Sequence, residues 1–78
     1  MSWQTDYLAT MRLFLQRRQQ MGISQEAMAS RLGISRRQFQ RYEAGEYVPD
    51  AMLLFKWADI LDASLSVWLH DPAPDVRE

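Results

Sequence analysis

The sequence predicts an all-α fold: one compact domain of five short helices. Three observations predict it. Apolar residues recur three and four apart along most of the chain, which is helical spacing. Ser24, Ser35, Asp50 and Ser64 stand just ahead of such stretches, where a short side chain can cap a helix. All three glycines, Gly22, Gly33 and Gly45, fall where such a stretch ends. Helices are expected at about 3–21, 25–32, 36–44, 51–61 and 65–70, in a single domain of residues 1–70 with a flexible tail, 71–78.

The first helix has two candidate caps, Ser2 and Thr5. Trp3, Tyr7, Met11, Phe14 and Met21 form its apolar stripe. Trp3 has two readings, cover for the small core or an interface anchor. Gly22 ends the helix, and Ile23 packs the entry to the next. Ser24 caps the second helix, with Glu26 near the positive end of its dipole. Met28 and Leu32 share one face. The turn is Gly33-Ile34-Ser35, and Gly33 suits a left-handed backbone conformation. Ser35 caps the third helix, and Gln38 completes the pattern of a capping box. Phe39 and Tyr42 face inward there. Arg37 and Arg41, one turn apart, point nearly opposite, with Arg36 and Gln40 beside them.

Arg36 and Arg37 break a local rule. Cations in a first helical turn oppose the helix dipole, at a cost of about 0.3–1 kcal/mol each. Such violations cluster at functional sites. An anion that recruits arginine, such as a nucleic-acid backbone or a guanine edge, accounts for this one.

Asp50 caps the fourth helix. Leu54, Ala58 and Leu61 form its core stripe, and Leu53, Trp57 and Ile60 form a second stripe beside it. This apolar arc is wider than one core requires. The second stripe, with Trp68 of the fifth helix, is therefore expected at a subunit interface; the plainer alternative is that Leu53 and Trp57 cover the first helix. Ser64 caps the fifth helix. The ending Asp71-Pro-Ala-Pro-Asp-Val-Arg-Glu78 is rich in proline and charge, as a frayed tail would be.

The totals narrow the function. The 78 residues suit one domain with a small core. There is no cysteine, hence no disulfide and no thiolate metal site. No apolar run approaches the roughly 20 residues of a membrane span, and no signal peptide opens the chain. A cytoplasmic protein is the expectation. Net charge is −1, but its distribution is uneven. Residues 12–41 hold seven arginines against Glu26, a balance of +6, and residues 42–78 carry −6. Such asymmetry signals a polyanionic partner. With one histidine, no Gly-rich phosphate loop and no cluster at metal spacing, neither an enzyme, a cofactor nor a metal is expected.

The pattern from Phe14 to Leu69 resembles the lambda-repressor-like, Cro/XRE class of helix-turn-helix proteins. The matching residues are Ser24-Gln25-Glu26, Met28-Ala29, Leu32-Gly33-Ile34-Ser35, Phe39, Tyr42-Glu43-Ala44-Gly45, Pro49, and then Leu54, Ala58, Leu61 and Leu65. The resemblance implies a dimer that places its third helix in the major groove. It implies base reading by Arg36, Arg37, Gln40 and Arg41. Gln25 would meet a phosphate or brace a reader, and Arg18 and Glu43 would pair structurally across the first and third helices. Ser35, Arg31 and Arg17 join Gln25 as candidates for phosphate contact or bracing. The loop after the third helix departs from the family: Glu46 and Tyr47 stand where basic residues are common. Asp62 stands where glycine is common.

Arginine offers a planar fork matched to guanine O6 and N7. The leading expectation is a sequence-specific regulator of transcription, a homodimeric repressor on palindromic double-stranded DNA. The alternative is an antitoxin-type module of the same fold that binds a partner protein and its own promoter.

Overall fold

The computed structural model describes residues 2–66, 69 and 71. Among the described residues there are four α-helices and no strand: α1 (Trp3–Gln20), α2 (Gln25–Leu32), α3 (Arg36–Glu43) and α4 (Ala51–Ile60). The fifth helix expected over 65–70 is not among them. Ser64, Leu65 and Ser66 are non-helical, and residues 67, 68 and 70 lie outside the described residues, as do 72–78 of the expected tail.

Each helix starts on a side-chain cap that accepts from an otherwise unpaired N–H of the first turn. Of the two candidates for α1 the cap is Ser2, whose Oγ accepts from Thr5 N–H at 3.5 Å. Ser24 accepts from Ala27 N–H at 3.0 Å, Ser35 from Gln38 N–H at 3.0 Å and Asp50 from Leu53 N–H at 2.8 Å. The capping box expected at Ser35 forms only by half. Gln38 Nε2 donates to Tyr42 Oη at 3.3 Å, one turn further on the same face, instead of reaching back to the cap.

The four helices also end alike. Just past each, an N–H bonds back five residues: Ile23 to Arg18 O, Ile34 to Ala29 O, Glu46 to Arg41 O and Ala63 to Ala58 O, at 2.9–3.1 Å. This closure needs a left-handed residue before the donor. Gly22, Gly33, Gly45 and Asp62 fill that place, with φ of 70°, 76°, 81° and 54°. At Gly33 a Cβ would meet nothing within 4 Å, so backbone conformation, not space, calls for glycine. Asp62 fills the same role with a side chain that resists it.

The core gathers Phe14, Ile23, Met28, Ala29, Leu32, Phe39, Trp57, Ala58 and Leu61. Trp57 is its centre, 0% exposed. Its ring lies 5.7 Å from Phe14, 5.0 Å from Phe39 and 6.4 Å from Tyr42, centroid to centroid, all tilted. One side chain thus joins α1, α3 and α4.

That position removes Trp57 from the expected subunit interface, since it has no surface to offer a partner. Leu53 and Ile60 are partly buried against the same core. Trp68 lies outside the described residues. The physical reason is that α4 is apolar round most of its circumference, and periodicity alone does not say which stripe turns inward. The apolar residues α4 does expose are Met52 and Phe55, 82% and 53% exposed. Of the two readings of Trp3, cover for the core does not hold: it is 74% exposed, because α1 carries it well before Phe14, the first buried residue of that helix.

Candidate nucleic-acid interface

The short α3 is held at both ends and along one side. Ser35 caps its start, the closure to Arg41 O ends it, and Phe39, 0% exposed, fixes its inner face. Its outer face is left with Arg36, Arg37, Gln40 and Arg41. Arg36 and Arg37 are exposed, and neither makes an ion pair or hydrogen bond among the described residues. Arg37, Gln40 and Arg41 line one open concavity with Ala44 and Glu46. Two cations at the positive end of a helix dipole, in ion-pair contact with no carboxylate among the described residues, amount to a place for an anion.

Behind this ridge runs a buried polar relay. Arg18 Nε and Nη2 donate to Glu43 Oε2 and Oε1 at 2.7 and 3.1 Å, and Arg18 Nη1 donates to Ile23 O at 2.8 Å. The two side chains are only 9% and 7% exposed. A buried pair of this kind survives because nearly every polar atom is satisfied. Gln25 Nε2 donates to Glu43 Oε1 at 2.9 Å, and Gln40 Nε2 donates to Gln25 Oε1 at 3.1 Å. The carboxylate of Glu43 accepts only, so Gln25 must turn its amide nitrogen toward Glu43 and its carbonyl toward Gln40. Gln40 must then turn its nitrogen toward Gln25. Its Oε1 and second N–H remain, and one acceptor beside one donor is the set that matches N6 and N7 of adenine.

The other candidates divide. Arg31 is exposed at the end of α2, with no partner among the described residues. Ser35 uses its Oγ in the cap. Gln25 is half-buried in the relay, which makes it a brace. Arg17 is engaged within the fold: its Nε donates to Leu61 O at 2.9 Å and its Nη2 to Asp62 O at 3.4 Å. A cation at the carbonyls that follow α4 offsets the negative end of that dipole, so Arg17 ties α1 to α4.

Two features of the site escape a reading of the sequence. One is the pair of bonds, Gln25 to Glu43 and Gln40 to Gln25, that joins the expected Arg18–Glu43 pair to the outer face of α3. The other is Tyr47. Its Oη accepts from Arg41 Nη1 at 2.9 Å, and its ring centroid lies 5.3 Å from Arg41 Cζ. The only signal for it was an aromatic residue where the family pattern has a basic one.

Burial pushes the Tyr7 phenol up; Tyr7 lines a cavity with Tyr42, Glu43, Ala44 and Gly45 and not the concavity of Arg37, Gln40 and Arg41. Among the described residues, no three His, Cys, Asp or Glu side chains gather as metal ligands would, and no helix is long and apolar enough to cross a membrane.

A family model described as helix-turn-helix matches residues 15–68, more than half of the chain. No curated protein and no solved structure matches it.

Proposed function

From the premise that this chain belongs to the lambda-repressor-like, Cro/XRE-type helix-turn-helix family, a family of DNA-binding regulatory domains, we propose that it is a sequence-specific regulator of transcription, a homodimeric repressor that lays residues 36–44 in the major groove of a palindromic operator. The observation that carries the proposal is the outer face of α3. Arg36 and Arg37 stand there exposed and unengaged among the described residues, on a helix whose cap, core residue and C-terminal closure hold it rigid. A rigid ridge of donors is what reading a groove requires, since contacts to base edges carry the sequence information. In this reading Arg36, Arg37 and Arg41 read base edges, with guanine the match for their forks, Gln40 reads adenine, and Arg31 faces phosphate. Repression is the mode that occupancy of an operator supplies by itself.

The test is selection of bound sequences from random double-stranded DNA, followed by Arg37→Ala on the selected site. We expect a two-fold-symmetric site containing guanine in each half. The variant should lose about 1–3 kcal/mol of specific binding with its melting temperature unchanged. Full affinity in Arg37→Ala would remove Arg37 from the readers, and no selected sequence at all would refute the function.

A further inference from the structure

Tyr47 sits beside Arg41 because of how α3 ends. Gly45 takes φ of 81°, and the N–H groups of Glu46 and Tyr47 both turn back to Arg41 O, at 2.9 and 3.4 Å. The turn therefore closes on the backbone of the residue whose side chain Tyr47 meets. The phenol touches that guanidinium twice, by a 2.9 Å hydrogen bond from Nη1 to Oη and by the ring, 5.3 Å from Cζ to centroid. Arg36 and Arg37 have no such companion among the described residues.

The chemistry of the partner matters. A carboxylate there would hold Arg41 more strongly but would cancel its charge, as Glu43 does for Arg18. A phenol is neutral, so it orients the guanidinium and leaves the charge whole. It also takes only one of the five N–H donors of arginine, leaving enough for a two-pronged contact with guanine O6 and N7. Long side chains lose rotamer freedom when they bind, and one already held in place loses less. Glu46, the residue next to Tyr47, makes no ion pair with Arg41 among the described residues.

We propose that Tyr47 is a positioning residue that pre-orients Arg41 for base reading, so that the loop after α3 contributes to sequence specificity through Arg41 and not through a charge of its own. This rests on the DNA-reading function proposed above.

Two measurements test it. The first needs no DNA. In the free protein, nitrogen relaxation at the arginine Nε should show Arg41 more ordered than Arg36 and Arg37, and Tyr47→Ala should bring Arg41 down to their level. The second uses the selected operator and versions changed at each base pair. Arg41→Ala identifies the base pair that Arg41 reads, where loss of a two-pronged contact corresponds to roughly 5- to 150-fold in discrimination. Tyr47→Ala should lower discrimination at that same base pair by about 3- to 10-fold, and Tyr47→Phe, which keeps the ring, by less. The salt dependence of binding should not change, because no cation is lost. Tyr47 is 49% exposed, so the melting temperature should hold as well. Equal mobility of Arg41 and Arg37 in the free wild-type protein would overturn the bracing. A uniform loss of affinity across all base changes would overturn the positioning role and make Tyr47 a backbone contact instead. If the wild-type protein selects no sequence, the underlying function fails too, while the relaxation experiment still decides whether Tyr47 holds Arg41.

Discussion

Asp62 shows what a single residue can cost and why the cost was half visible beforehand. The sequence places an acid where the family pattern it resembles has glycine. What it does not reveal is that the position closes α4 in the same way that Gly22, Gly33 and Gly45 close the other three helices. With φ at 54°, Asp62 accepts a conformation that disfavours a Cβ by roughly 1–2 kcal/mol, less for aspartate than for most residues. Its 4.0 Å contact with Arg17, at 94% side-chain exposure, is too solvated to compensate. Asp62→Gly should therefore stabilise the fold by about 0.5–1 kcal/mol, raising the melting temperature by roughly 2–8 °C. Asp62→Ala, which keeps a Cβ, should not. Equal melting temperatures for both variants would show that the backbone at 62 carries no strain. Arg17 marks the complementary limit at this scale. Its residue type predicts an anion, but its partners are the carbonyls of Leu61 and Asp62, some 45 positions away, and no local pattern contains that distance.

At the scale of elements, the helix starts were legible because each is a local event. Ser24, Ser35 and Asp50 cap helices whose expected starts match the observed ones, and the cap depends only on residues three positions apart. The core stripe of α4 was legible, since Ala58 and Leu61 are buried and Leu54 packs against them; the place of Trp57 was not, because Leu53, Leu54, Phe55, Trp57, Ala58, Ile60 and Leu61 leave the helix almost no polar side. The observed packing puts Trp57 among Phe14, Phe39 and Tyr42. The consequence can be checked by unfolding in urea. Trp57→Ala should cost about 3–5 kcal/mol, a large share of the roughly 5–15 kcal/mol that holds a small domain together. Trp57→Phe should cost much less, since it keeps a ring in the cluster and removes an indole N–H that has no partner among the described residues. Both losses should be independent of protein concentration. A loss that disappears on dilution would return Trp57 to a subunit interface.

The whole molecule poses the question its parts leave open, how one short ridge could find a site in a genome. An α3 of eight residues is roughly 12 Å long and spans only a few base pairs, and single modules of this kind bury roughly 600–1,000 Å² on DNA. One copy has too few contacts for high specificity. Two copies related by a two-fold axis, with their ridges about 34 Å apart, would double the contacts on a palindrome. The surplus of arginine in residues 12–41 would draw both toward the duplex. With Trp57 inside the core, the apolar surface that α4 has left for such pairing is Met52 and Phe55, three residues apart on one face, with Val48 also exposed just before the helix. Met52→Glu combined with Phe55→Glu should leave the fold intact, shift the mass in solution from two chains to one, and reduce affinity for the palindrome toward that of a single half-site. A double variant that stays dimeric would place the interface elsewhere, with the exposed Trp3, Leu8 and Leu13 of α1 as the next surface to probe. A wild-type chain that stays monomeric on its operator would end the homodimer, and one that remains soluble only beside another protein would favour the antitoxin-type alternative.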